Sequence, residues 1–381
     1  NNNDYIFFVY ILMIFLFMNF LHLFSYSYFR GKLNMNIANL MKVLFFGFPV
    51  LLSFLIYLFK IKEYSRVLYL YFIIYSIFGI LITLYFLKGE INFKILKDKV
   101  SFNLKKSKHM LFFSLSRIPS VILNALVFSL PVFFASKRIS IIAAGYMGIV
   151  VLVIRLFEIF SMPFNMIFLP KFSGLKKHED NKNIKDYSQV VLDFIITFLP
   201  FIAVLIFGLT RFIILMWFGQ KYLVVTKSVS LAILFSMFYL SFALIRGILD
   251  GLFVFPFNNI ISFMGFFVIL VLSLFIGFDL FGLSISFCSG LFTLGVVSIF
   301  ILVKKLSLLI EFKVIIKSLV LCTLVFFILE YFDRFFVNLN PGDLKNIFFS
   351  ISCRIIVAFL IYIFFWRKTL WFREVKQRIG F

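Results

Sequence analysis

Long apolar runs constrain this chain more than any other feature of its sequence. Eleven runs are long enough for a helix to cross a membrane, which takes about 20 residues, and short polar connections join them. Buried strands run only about 4–8 residues, and helices alone satisfy their own backbone in lipid without a closed barrel. The sequence therefore predicts an all-α polytopic membrane protein with eleven transmembrane helices. They cover residues 5–29, 37–59, 64–87, 110–135, 139–169, 190–218, 225–248, 252–278, 281–303, 312–332 and 344–366.

The charge of the chain is strongly basic, with 38 Lys and Arg against 16 Asp and Glu, and a formal net charge of +22. In a soluble protein this balance would suggest nucleic acid, but 63% of these residues are hydrophobic. Basic cytoplasmic loops that face anionic lipid headgroups explain the charge, so no nucleic-acid partner is expected. A cytoplasmic C-terminal tail places more than twice as many basic residues inside as outside, which predicts the orientation.

Residues that carry chemistry are sparse and scattered. Cys288, Cys322 and Cys353 lie far apart in apolar runs, and the three His are equally dispersed, so none has metal-ligand spacing. The sequence contains no glycine-rich phosphate loop, no G-x-S-x-G and no H-E-x-x-H. These observations predict a protein that is not an enzyme and that has no cofactor or metal.

An internal repeat links the two ends of the chain. Arg30-Gly31 closes the first apolar segment and Arg246-Gly247 closes the seventh, 216 residues later. Lys88 and Lys304 close the third and ninth segments at the same offset. Because six helices separate the copies, the blocks form a parallel repeat. The fourth to ninth segments form one six-helix unit, and the first three match its second half. We therefore expect three further helices ahead of Asn1, and fourteen in all.

Five short motifs accompany this helix count, and they lie in one stretch of about 110 residues. They are Arg-x-Pro at 117–119, Leu-Pro at 130–131, Gly-Tyr at 145–146, Leu-Pro-x-x-Ser at 169–173 and Phe-Gly-x-x-Tyr at 218–222. With the helix count, they resemble the multidrug/oligosaccharidyl-lipid/polysaccharide exporter superfamily, and within it the oligosaccharide (O-antigen-type) flippases of polysaccharide biosynthesis. Ser120 departs from the glycine that often follows the Arg-x-Pro step in that family.

The resemblance implies a two-lobe helical bundle in which the first three helices of the first lobe are missing. Residues 1–95 would form the partial N-terminal lobe, 96–109 a basic cytoplasmic linker, 110–305 the C-terminal lobe, and 306–381 a trailing helix pair with a basic tail. The implied function is translocation of a lipid-linked oligosaccharide of the polyprenyl-pyrophosphate type across the plasma membrane by alternating access. Its partners would be this cargo, membrane lipids and polysaccharide polymerase machinery, with a monomeric chain. The coupling ion, H⁺ or Na⁺, stays open.

Ionisable residues inside apolar segments are the candidate site. A charge at the bilayer centre costs about 3 kcal/mol, so such residues usually face a cavity or a partner. Arg155 and Glu158 share a helix face at a spacing of three, as an ion pair or a cavity lining. Arg117 precedes the helix-breaking Pro119 and could snorkel to cytoplasmic headgroups. The resemblance favours instead a place for it in a cationic cavity with Arg155. Arg354, in the last segment, could line the cavity, snorkel or pair with Glu330.

Two further expectations complete the candidate site. Asn124 joins Arg117, Arg155, Glu158 and Arg354 as a candidate substrate-binding residue. Asp193 lies near the predicted start of the segment at 190–218, where a carboxylate would cap the helix.

The sequence is also compatible with two other functions. A drug or cation antiporter of the same superfamily would favour acidic residues in its spans, whereas these spans hold more bases than acids. A membrane-embedded oligosaccharide polymerase or glycosyltransferase would need a sizeable outer loop, whereas the longest outer loop, near residues 333–343, is about a dozen residues long.

Overall fold

The structure is a computed structural model, and it describes residues 2–31, 37, 40, 41, 43–45, 64–88, 104–336 and 344–366. Helices make up nearly all of this described part, and it contains no strand. We number the helices in chain order. They are α1 (Asn2–Gly31), α2 (Tyr64–Lys88), α3 (Leu104–Leu115), α4 (Ile118–Arg138), α5 (Ile141–Lys177), α6 (Asn181–Trp217), α7 (Thr226–Leu252), α8 (Phe257–Ile276), α9 (Leu280–Leu306), α10 (Phe312–Phe336) and α11 (Leu344–Trp366), with a 3₁₀ turn at Gln220–Val225 between α6 and α7.

The predicted fold class is confirmed, because the described part of the chain is an all-α bundle of apolar helices. Within the described residues, seven helices are long and apolar enough to cross a membrane. Three shorter apolar helices, Met13–Phe29, Phe72–Tyr85 and Ser352–Trp366, match three further predicted segments. Most of the predicted segment at 37–59 lies outside the described residues, as do Lys42, most of the basic linker and the C-terminal tail.

Two helices extend well beyond the apolar segments that predict them. α5 and α6 each have 37 residues, or about 55 Å of rise, which exceeds the roughly 30 Å of a bilayer core. The polar stretch between the two apolar segments is therefore helical except for a tight turn. Asp180 caps α6 by accepting a hydrogen bond from the Asn183 backbone, and the Asn183 contacts hold the pKa of Asp180 below its usual value. The capping role predicted for Asp193 is wrong, because that residue lies more than three turns inside α6.

The chain divides into two compact units, Asn1–Ser107 and Lys108–Phe381. In the N-terminal unit, α1 packs against α2, with Met18, Phe45 and Tyr75 at the centre of one small apolar cluster. The C-terminal unit is built around α7, which packs against α5, α6, α8 and α9. The predicted assignment of lobes to residues 1–95 and 110–305 stays a prediction.

Small residues let the helices around α7 approach closely. A side chain at Gly247 would meet the Asn165 side chain, and one at Gly251 would meet the backbone of Leu169, so α5 lies directly against this glycine-x-x-x-glycine face. On α9, a side chain at Gly295 would collide with the backbone of Phe238 on α7. Close backbone approach replaces the hydrophobic effect as a source of helix association in lipid.

A second apolar cluster joins the last helices to α6. It contains Phe201 and Leu205 of α6, Leu321 and Val325 of α10, and Tyr362 of α11. Leu329 of α10 packs against Gly208 of α6, where any side chain would collide with it. The trailing helix pair therefore packs against α6.

Candidate functional site

The helical backbone of the C-terminal unit is interrupted between α3 and α4, at Ser116 and Arg117. Pro119 lies in the first turn of α4 and has no N–H group, which confirms the interruption predicted there. The side chain of Asn259, at the start of α8, spans the break. Its Nδ2 donates to the Ser116 carbonyl at 2.6 Å, and its Oδ1 accepts from the Ser120 amide at 3.1 Å. These bonds satisfy backbone groups that the break leaves without helical partners.

Arg117 is held at this break by α3 and by the C-terminal end of α7. Its Nε donates to Asp250 at 3.2 Å, one guanidinium nitrogen donates to the Phe253 carbonyl, and the other donates to the Phe113 carbonyl. The guanidinium also lies 3.5 Å from the centre of the Phe113 ring. The Arg117 and Asp250 side chains are about one-sixth exposed. In this conformation, the donors of Arg117 are divided between the end of α7 and the Phe113 carbonyl of α3.

Arg155 and Glu158 form the predicted ion pair on α5. The guanidinium nitrogen lies 3.4 Å from the Glu158 carboxylate, and the guanidinium carbon lies 4.1 Å from the centre of the Phe128 ring on α4. The Arg155 side chain is 45% exposed and that of Glu158 is 22% exposed. The pair therefore reaches the surface of the helical bundle, although it lies in the apolar span Ile141–Ile159.

Asn124 and Tyr239 complete a polar cluster around this pair. The Tyr239 hydroxyl of α7 lies near the Asn124 amide and the Glu158 carboxylate. The ring of Tyr239 meets Phe128 edge to face at 5.0 Å. Among the described residues, no group donates to the buried Oδ1 of Asn124. Asn124 lies at the middle of the span Leu111–Arg138, so this cluster is polar at mid-membrane depth.

Arg354 lies elsewhere, in the interface of α11 with α6. Its side chain is buried, one nitrogen lies 3.4 Å from the Gly208 carbonyl, and the guanidinium is 5.0 Å from the Phe212 ring centre. The site residues predicted from sequence thus occupy three places. Asn124, Arg155 and Glu158 come together, Arg117 lies at the α3–α4 break, and Arg354 lies beside α6. We call the first group, with Phe128 and Tyr239, the mid-span cluster.

Sequence reasoning missed Tyr239, Asp250 and Asn259. Tyr239 lies in a span rich in aromatic residues and carries no local signal. Asp250 could have been found, because an acid at the end of an apolar segment has an obvious partner in an Arg that precedes a helix break. Asn259 follows Pro256 at the start of α8, where a side-chain amide commonly satisfies backbone groups.

Comparison with known proteins defines the class of fold. No known protein-family profile matches the sequence, and none of the curated proteins matches it. The structure is similar to that of the lipid II flippase MurJ in an inward closed conformation, with a TM-score of 0.61 over 96% of this chain and 74% of the MurJ chain. The two sequences are 17% identical, so the similarity shows a shared fold. MurJ is a flippase by name, and the similarity of this chain to it is one of fold.

Proposed function

We propose that this protein is a flippase that moves a lipid-linked oligosaccharide of the polyprenyl-pyrophosphate type across the plasma membrane by alternating access. The fold shared with a lipid II flippase supports translocation of a lipid-linked precursor. The observation that carries the proposal is Arg155, a half-exposed guanidinium in an apolar span. A charge there is costly against lipid, and a polar cavity that admits an anionic head group removes that cost.

The mid-span cluster has the chemistry to bind a pyrophosphate. A guanidinium matches phosphate oxygens with two parallel N–H donors, and the guanidinium of Arg155 lies over the ring of Phe128. Glu158 neutralises Arg155 in this conformation. An incoming phosphate would compete with Glu158 for the guanidinium, so binding would exchange one anionic partner for another and leave no unpaired cation in the span.

The other polar groups of the cluster suit a sugar. The Tyr239 hydroxyl can donate and accept hydrogen bonds, and the Oδ1 of Asn124 can accept one from a hydroxyl group. Both groups are buried in this conformation, so the alternating-access movement has to expose them. The lipid tail would remain in the bilayer beside the bundle while the polar head crosses. No covalent chemistry is required, and rocking of two helical lobes about the site would expose it to each side in turn.

Translocation can be measured directly in vesicles that contain the purified full chain. A fluorescent polyprenyl-pyrophosphate oligosaccharide is placed in both leaflets, and a membrane-impermeant quencher reports the fraction that reaches the outer one. We expect the chain to exchange this lipid between leaflets much faster than protein-free vesicles do.

Two comparison substrates make this experiment specific. A neutral polyprenyl glycoside that lacks the pyrophosphate should cross slowly, because it offers no anion to Arg155. A lipophilic cationic dye tests the antiporter alternative. Preferential movement of the cation, or equal movement of the neutral lipid and the pyrophosphate lipid, would overturn the proposal.

A further inference from the structure

A pocket of about 660 Å³ lies at the end of the C-terminal unit where α5 begins and α6 ends. It contains no residue of the mid-span cluster, and its nearest lining residue on α5, Ile149, is six residues, or about 9 Å of helix rise, from Arg155. Its volume is in the range that holds ligands of small-molecule size.

The walls of this α5–α6 pocket are aromatic. Tyr146 of α5 faces Tyr222 of the 3₁₀ turn edge to face, with ring centres 6.1 Å apart, and Tyr222 meets Phe218 at the same distance. Trp217, the last residue of α6, also lines the pocket and is 61% exposed. Tyr and Trp carry an apolar ring with a polar end, which suits the boundary between lipid chains and headgroups.

Backbone geometry keeps the pocket open. Gly219 adopts a φ of +86°, which turns the chain sharply after α6 and places Lys221 and Tyr222 opposite α5. On the facing wall, a side chain at Gly145 would meet nothing within 4 Å, so the floor of the pocket is unfilled.

The single cation of the described lining is Lys221, which is exposed. No acidic residue is among the described residues that line the pocket. The cavity lies at the end of spans that begin at Ile141 and Gln220, where lipid phosphates are expected. Basic pockets between transmembrane helices on the cytoplasmic side of membranes bind anionic lipid headgroups, and the same pairing of ammonium with phosphate is available here.

We propose that the α5–α6 pocket is a binding site for the headgroup of an anionic phospholipid. The phosphate pairs with the Lys221 ammonium, and the glycerol and headgroup carbons lie against Tyr146, Trp217 and Tyr222. The acyl chains extend along the exposed face of α5, where Ile142 is 68% exposed. This site is independent of the transported cargo, so it stands or falls separately from the flippase function.

Photocrosslinking in vesicles tests the site with the full chain. Ile142, which lines the pocket, is replaced by the photoreactive p-benzoyl-phenylalanine, and the protein is reconstituted in equimolar phosphatidylcholine and phosphatidylglycerol. Mass spectrometry then identifies the lipid attached. We expect the photoreactive residue at position 142 to capture about fivefold more phosphatidylglycerol than phosphatidylcholine, because one lysine near a phosphate confers a preference of that size.

Matched controls distinguish a specific binding site from the general attraction of anionic lipids to a basic protein. The same photoreactive group at Ile141, which is exposed but outside the pocket lining, should capture the two lipids about equally. Lys221→Gln should remove the preference at Ile142, while Lys137→Gln, at an exposed lysine of the same end, should preserve it. Equal capture of both lipids at Ile142, or a preference that survives Lys221→Gln, would overturn the proposal.

Discussion

At the scale of single residues, each membrane-embedded cation described here has a distinct environment. Arg117 donates to a carboxylate and two carbonyls. Arg155 pairs with one carboxylate and is half exposed, whereas Arg354 is buried against α6. The expected cavity shared by Arg117 and Arg155 stays a prediction. Arg155 lies opposite Phe128, which is 11 residues, or roughly 16 Å of helix rise, from Arg117.

The pairing of Arg117 with Asp250 can be tested by a double-mutant cycle. Arg117→Ala and Asp250→Ala should each lower the free energy of unfolding by about 1–3 kcal/mol, because each leaves a partly buried charge without its partner. The double variant should lose little more than either single variant. Thermal unfolding in detergent provides the measurement, and additive losses would show that the two side chains act independently.

Sequence reasoning found the residues of the mid-span cluster only in part. Arg155 and Glu158 stand out because charges are rare in apolar segments and their spacing fixes a shared helix face. Tyr239 could not be found in this way, since its contact with Glu158 depends on how α7 is rotated relative to α5. Hydropathy carries no information about that rotation when most residues of a span are apolar.

At the scale of helices, close packing requires glycine at some positions, such as Gly295, and not at others, such as Gly148. The lengths and order of the spans follow from hydropathy, whereas the polar extensions of α5 and α6 do not, because a helix can continue from lipid into water without an apolar signal. The contacts of Gly295 and Gly247 likewise require knowledge of which helices are neighbours.

Gly295→Ala should destabilise the protein, because the new methyl group would lie 2.5 Å from the backbone oxygen of Phe238, and α7 and α9 would have to separate. We expect a loss of about 1–3 kcal/mol in the free energy of unfolding. Gly148→Ala is the matched control, since a side chain there meets nothing within 4 Å, and it should change stability by less than about 0.5 kcal/mol. Equal melting temperatures for the two variants would contradict this packing.

The amide that bridges the α3–α4 break has a comparable role. Asn259→Ala removes the partners of the Ser116 carbonyl and the Ser120 amide together, and it should cost about 1–3 kcal/mol of stability. Asn181→Ala, at an exposed position at the start of α6, is the control. If amide hydrogen exchange near Ser120 is no faster in Asn259→Ala than in the wild type, the bridge does not hold this break together.

At the scale of the whole molecule, the polytopic helical fold was predictable and the orientation remains to be measured. Lys182 and Lys221 lie at opposite ends of α6, about 55 Å of helix apart. The positive-inside rule predicts that Lys182 faces the cytoplasm and Lys221 the outside.

Cysteine labelling tests this orientation in a chain whose native Cys288, Cys322 and Cys353 are replaced by alanine. Lys221→Cys should react with an impermeant maleimide on intact cells, and Lys182→Cys should react only after permeabilisation. The reversed pattern would invert the topology and the assumed direction of transport.

In the proposed function, Arg155 binds the anionic head of the transported lipid. The rate at which the fluorescent polyprenyl-pyrophosphate oligosaccharide exchanges between leaflets in vesicles is a direct test of this role. Arg155→Ala should slow this exchange by tenfold or more, the effect of losing a charge-assisted hydrogen bond of about 1.5–3 kcal/mol. Arg155→Lys should slow it less, because the charge remains while the fork geometry is lost. Lys177→Ala, at the exposed end of α5, should match the wild type. An exchange rate for folded Arg155→Ala equal to that of the wild type would contradict the proposed cationic site.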